Sequence, residues 1–252
     1  MLTVDNWEHW INRNLRPIVR RIRRCKVFKE IFLAVGNESL SPWQVERFGA
    51  RMVPCLREVH AALVETRLAD RVKLVAPLGM SVLCSSYPPS AGQISEAHAE
   101  VVKDVVRLLV MIGSPFCINI HPFFSRGEGS RDFLLFGPDP GYLDCGKRYN
   151  NMFSAQYDAV VSALSKLGIL GADAMDVVVT ETGWPSASAE MADGPSARSY
   201  IAGAAAASVN GTPLRPGRMD VYLFELYDES LKHGADFEKH FGLFDIEGAQ
   251  KG

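Results

Sequence analysis

The chain has 252 residues, 47% of them hydrophobic and 22% charged, the balance of an ordinary soluble globular protein able to bury one sizeable core. A formal net charge of −2 offers no electrostatic reason for nucleic acid or an acidic surface as a partner. No apolar run is long enough to span a membrane, and the opening MLTVDNWEHW, with Asp5 and Glu8, reads neither as a signal-peptide core nor as a transit peptide.

Arg16 to Lys26 (RPIVRRIRRCK) is locally basic and reads as a solvated face. From there short apolar runs alternate with amphipathic helices. Strands are expected at Ile31 to Val35, Lys73 to Ala76, Phe116 to Ile120, Val177 to Val179 and Val221 to Phe224. This alternation implies an α/β fold with parallel strands and helical crossovers. Ser41-Pro42-Trp43-Gln44 reads as a capping box with proline at the first helical position, opening a helix that Pro54 kinks. Ser95 to Ile112 places Val101, Val102, Val105, Leu108, Leu109 and Ile112 on one face before Gly113 as a C-terminal stop. Ser154 to Leu167 repeats the pattern up to Gly168, and an alanine-rich helix is expected from Pro195 to Val209. Phe123 to Asn151 is the longest irregular stretch, and long loops in compact domains tend to carry function. No flexible linker interrupts the chain, so residues 1–252 are expected to form a single domain.

The five cysteines (Cys25, Cys55, Cys84, Cys117, Cys145) are odd in number and form no CxxC pair, so neither a disulfide framework nor a zinc site is expected. The six histidines show no HExxH spacing, and metal chemistry has no support.

Two expected strands end in glutamates. Ile31 to Val35 runs into Gly36-Asn37-Glu38, and Val177 to Val179 runs into Thr180-Glu181-Thr182-Gly183-Trp184-Pro185-Ser186. Glycosidic bond cleavage needs such a pair: one carboxylic acid protonates the leaving oxygen, while a carboxylate attacks or stabilises the anomeric carbon. In a parallel barrel, catalytic side chains project from the C-terminal ends of strands, where both glutamates fall. Asn37 is a hydrogen-bond partner for a sugar 2-OH, and Trp184 offers an apolar face for a pyranose ring. A lone glutamate at a strand end is more often an exposed or capping residue; the two blocks together favour catalysis.

AVGNE, SSYPPSAG at 85–92, VVVTETGWPS, and FELYDESLKHG followed by EKHFGLFD resemble the plant endo-1,3-β-glucanases, glycoside hydrolase family seventeen, from about Trp7 to Asp245. The resemblance implies a (β/α)8 barrel of TIM type that cleaves internal β-1,3-glucosidic bonds of callose- or laminarin-type glucans with retention. It further implies no cofactor or metal, a β-glucan polysaccharide as the partner, a monomer, and an extracellular or cell-wall location. Asn210-Gly211-Thr212, a glycosylation sequon, is consistent with secretion. By the same resemblance Glu38 is the acid/base, Glu181 the nucleophile, and Glu229, Lys232 and Glu238 a supporting charged cluster that tunes protonation, with Lys232 expected beside Glu181.

Family members read Asn-x-Tyr-Pro-Tyr-Phe at the sixth strand, whereas this chain has Asn119-Ile120-His121-Pro122-Phe123-Phe124. Both phenols are replaced. His121 stands where the first tyrosine would donate to the nucleophile, Phe123 has no donor, and both join Phe124 among the expected substrate-binding residues. The match enters before the fourth strand, so the barrel is expected to be incomplete: fourth to eighth strands present, first three without counterpart. The alternative is an inactive remnant or a non-catalytic β-glucan-binding protein.

Overall fold

The computed structural model describes residues 31–251; the basic run Arg16 to Lys26, and the expectation about strands preceding Ile31, fall outside them. The elements begin with β1 (Ile31–Ala34), α1 (Ala50–Glu65), β2 (Val72–Val75), β3 (Leu78–Gly79), a short hairpin of β4 (Leu83–Ser85) and β5 (Gln93–Ile94), α2 (Ala99–Ile112) and β6 (Phe116–Asn119). There follow α3 (Arg131–Leu134), a second hairpin of β7 (Tyr142–Asp144) and β8 (Lys147–Tyr149), α4 (Met152–Ser165), β9 (Val177–Thr182), α5 (Gly194–Asn210) and β10 (Val221–Leu223).

The long strands are all parallel and lie side by side in chain order: β1 on β2, β3 on β6, β6 on β9 and β9 on β10. Pro77, which has no N–H to give a ladder, separates β2 from β3, so one strand path serves two ladders. Sequential parallel strands with helical crossovers are the TIM-type arrangement, and the strands occupy the five positions expected from the apolar runs.

Side chains alternate in and out along each strand. Leu33, Leu74, Phe116, Ile118, Val177 and Val179 point outward and pack with α1, α2 and α4 into the main core. Phe32, Val75, Cys117 and Val178 point inward and form a small cluster of their own. Burial pushes the Cys117 thiol up to about 12, which makes it an inert packing residue. The sheet curls far enough that the rings of Phe32 on β1 and Tyr222 on β10 meet edge-on, centroids 6.4 Å apart.

The helices follow their sequence signals with shifted ends. Gly113 closes α2 in the left-handed conformation at φ 63°, as a C-terminal glycine should, although α2 starts at Ala99 rather than Ser95. Asn151 and Asp193 cap α4 and α5 by accepting from the N–H groups of Ser154 and Ser196. The capping box at Ser41 does not form: the Ser41 hydroxyl is buried without a partner, and the chain passes through turns and a π-helical turn, Val45–Gly49, before α1. α1 continues through Pro54. The stretch after Phe123 is not irregular throughout, since α3 and the β7–β8 hairpin lie within it. Among the described residues no helix is long and apolar enough to cross a membrane.

Candidate active site

Glu38 reaches the mouth of the sheet through a turn after β1. Its backbone takes φ 49°, uncommon for a non-glycine residue, and its N–H is held by the Pro77 carbonyl at 2.9 Å. The carboxylate accepts a hydrogen bond from Asn119 Nδ2 at 3.0 Å, and the same amide nitrogen donates to Asn37 Oδ1 at 3.0 Å. Asn119 Oδ1 in turn accepts from Thr180 Oγ1 at 2.7 Å. Asn119 is 2% exposed, so this amide is fixed by packing and by three hydrogen bonds that bind Glu38 to β6 and β9. The floor under the carboxylate is Gly79 of β3: a Cβ there would lie 2.9 Å from Glu38 Cδ, so any side chain at this position would push the carboxylate aside.

Glu181 reaches the same mouth by an irregularity in β9. Ile118 of β6 pairs with Val179, but the next residue, Asn119, pairs with Glu181, so β9 spends an additional residue, Thr180, at that point. Strict alternation from the inward Val178 would turn Glu181 outward. The inserted residue reverses the parity and brings Glu181 to the face that carries Asn119. Glu181 and Asn119, the amide that holds Glu38, are therefore register partners on adjacent strands.

His121, just beyond β6, faces Glu181 with Nε2 3.6 Å from Oε2. Its ring is packed edge-on by Phe124, Phe224 and Phe241, with centroids 5.9, 5.7 and 5.8 Å away, and its Nδ1 is buried without a partner. Phe124 is exposed and lies open at the mouth.

Two expected sugar contacts are corrected. Trp184 is 1% exposed; its indole N–H donates to the Met191 carbonyl at 2.7 Å and its ring packs on Phe123 and Tyr200. Phe123 is also fully buried, with the Arg126 guanidinium 3.5 Å over its ring. Both are the aromatic bed under the site and present no free face to a pyranose. The TGWP turn follows a buried strand, so its indole continues inward.

The charged cluster after β10 assembles, with one difference. Lys232 lies 3.6 Å from Glu229 and 3.1 Å from Glu238, and 4.8 Å over the ring of Phe224; it pairs with these two carboxylates rather than with Glu181. Inside the cluster stands Glu225, which was not among the expected site residues. Its Oε1 is buried without a partner, and burial, reinforced by the neighbouring Glu229 carboxylate and opposed by Lys232, pushes the group up to about 7. The run of acids in FELYDES was the available signal for Glu225, and Asn119 was visible only as part of the family motif. A larger cavity, about 880 Å³, lies at the opposite, N-terminal ends of the strands between Lys73, Pro115, Asp176 and Asp220. It is remote from every carboxylate of the site and has no part in it.

The Glycosyl hydrolases family 17 profile matches residues 4–251. The glucan endo-1,3-beta-glucosidase 7 of Arabidopsis thaliana is 37% identical over 247 residues, covering 93% of this chain and 47% of that protein. The glucan endo-1,3-beta-D-glucosidase of Olea europaea is 37% identical over 231 residues, with 87% and 49% covered. The chain thus spans about half the length of these two relatives. Among solved structures, a β-1,3-glucanase and pollen allergen of Cryptomeria japonica superposes with a TM-score of 0.89 at 33% identity, covering 99% of this chain and 77% of that one. The glutamate pair at the strand ends, the barrel-type strand order and these matches agree: the chain belongs to family 17 of the glycosyl hydrolases.

Proposed function

We propose that this chain is a catalytic domain that hydrolyses internal β-1,3-glucosidic bonds in β-glucans with retention of configuration, Glu181 as nucleophile and Glu38 as acid/base. The observation that carries the reading is the convergence of Glu38 and Glu181 on one face through Asn119 and Thr180. In the first step the Glu181 carboxylate attacks the anomeric carbon as Glu38 donates its proton to the departing glycosidic oxygen. In the second, Glu38 removes a proton from water, which displaces Glu181 from the glycosyl-enzyme. Asn119 keeps the acid in place, and His121 stands beside the nucleophile where relatives have a phenol. Asn37, exposed next to Glu38, is available to the sugar 2-OH, and Phe124 to a ring face. The Glu225, Glu229, Lys232 and Glu238 cluster sets the charge at the far wall. No feature of the site favours an inactive remnant. By the same family resemblance we propose that the enzyme acts outside the cell or in the cell wall.

The test is reducing-sugar release from laminarin by the chain. Glu181→Ala is expected to lower it by roughly 10³-fold or more, the scale of losing a nucleophile. Equal activity of the variant would remove Glu181 from the role.

A further inference from the structure

On the same side of the sheet as the carboxylates, a second cavity of about 430 Å³ opens between the loop that follows β4 and the segment that follows β6. Its volume falls in the range of small-molecule sites, about 300 to 1,000 Å³. One wall is aromatic. Tyr87, 70% exposed, stands edge-on to Tyr142 with centroids 5.1 Å apart, and Tyr142 leans on Phe133 at 5.8 Å and stacks on Tyr149 at 5.8 Å. Met152 and Ala155 of α4 complete the apolar lining.

The remaining lining is polar, with acceptors at Glu128, Asp139 and Gln156, the hydroxyls of Ser86 and Ser130, and no lysine or arginine. Gln156 is 8% exposed; its Nε2 donates to Ser125 Oγ at 2.9 Å, while its carbonyl oxygen is buried with no partner. Asp139 accepts from the Ser130 hydroxyl and from the N–H of Gly141. The aromatic wall is built before any ligand arrives. The Asp144 carboxylate takes both the N–H and the hydroxyl of Ser90, each at 2.7 Å, which pins the Tyr142 hairpin to the Tyr87 loop. Lys166 of the α4 end locks the same loop through the carbonyls of Ser90 and Gly92, at 2.6 and 2.8 Å.

An exposed ring, a rim of acceptors and the absence of cations disfavour an anion and suit a neutral molecule with apolar faces and many hydroxyl donors. We propose that this cavity is an accessory carbohydrate site that holds glucosyl residues of a β-glucan away from the bond being cleaved. Tyr87 and Tyr142 pack against the ring faces, and Gln156, Asp139 and Glu128 accept from the hydroxyls. The choice of β-glucan rests on the function proposed above. Such a site adds affinity for long chains without touching the reacting atoms.

The experiment is calorimetric titration of laminarin into the full chain carrying Glu181→Ala, which leaves the polymer intact, with and without Tyr87→Ala. Tyr87 is exposed, so its truncation does not threaten folding. The expected result is roughly 3- to 10-fold weaker laminarin binding for the doubly substituted chain, the scale of one aromatic contact, with no change for laminaribiose, which is too short to reach from the cleft. Unchanged laminarin affinity on loss of Tyr87, or no laminarin binding at all, overturns the accessory site. Hydrolysis by the unsubstituted chain is scored separately: activity with Tyr87-independent binding sinks only the accessory site, and Tyr87-dependent binding without activity sinks only the catalytic reading.

Discussion

Glu38, the proposed acid, is positioned by what lies beneath it as much as by what bonds to it. Gly79 leaves room for the Glu38 carboxylate, and a methyl group there would have to push it aside. Since a displacement of about 1 Å in a catalytic group costs on the order of 100-fold, Gly79→Ala is expected to lower kcat/KM by about that factor. Gly79 has an ordinary extended φ of −93°, so the melting temperature should hardly move; a matching loss of stability would show that the glycine serves the fold instead. Glu225 makes a pH-dependent contribution of its own. Its carboxyl is raised from 4.5 to about 7, so between these values the folded chain holds a proton that the unfolded chain has released. The associated stabilisation is complete below pH 4.5 and is lost as pH rises through 7. Glu225→Gln, which cannot ionise, should flatten the decline of melting temperature across that window. A variant with the same slope as the parent would assign the decline to other groups.

At the scale of elements, the strands were legible because each is a short apolar run bounded by turn residues, and α2 because its apolar residues recur at helical spacing before a glycine. What could not be read was the extra residue at Thr180. A bulge leaves no periodic trace, yet it decides on which face Glu181 emerges. The capping box at Ser41 failed for a related reason: tertiary packing buried its hydroxyl, and the local signal lost. Trp184 and Phe123 were misjudged because aromatic residues beside a site look the same in sequence whether they face the ligand or support it. The segment after β6, expected as loop, is organised by a buried carboxylate. Asp158 of α4 accepts from the Tyr149 hydroxyl at 2.9 Å, from Thr212 Oγ1 at 2.5 Å and from the Leu214 N–H at 2.8 Å. It therefore joins α4 to β8 and to the turn after α5, and the Thr212 of the sequon is committed to this internal bond. Asp158→Ala would strand the buried hydroxyls of Tyr149 and Thr212 and the half-buried N–H of Leu214, at a cost of about 2–4 kcal/mol, and should lower Tm by roughly 4–16 °C in a chain of this size. A shift below about 2 °C would mean that water or rearrangement satisfies them.

At the scale of the molecule, strand order and the mouth of the sheet came from sequence, through alternation and the family blocks. The contacts between loops distant in the chain did not. Asn119 with Glu38 and Asp144 with Ser90 each depend on how crossovers bring separate segments together, which no local pattern encodes. With the charged cluster around Lys232, these contacts turn a pair of strand-end glutamates into a site in which Glu38 is held by an oriented amide and Glu181 lies in register with that amide. The most direct test is proton NMR of laminarin during its first minutes of hydrolysis by the chain, with Glu181→Ala as control. The account predicts that new reducing ends appear first as the β-anomer and only for the unsubstituted protein; α-anomeric ends, or the same products from Glu181→Ala, would contradict it.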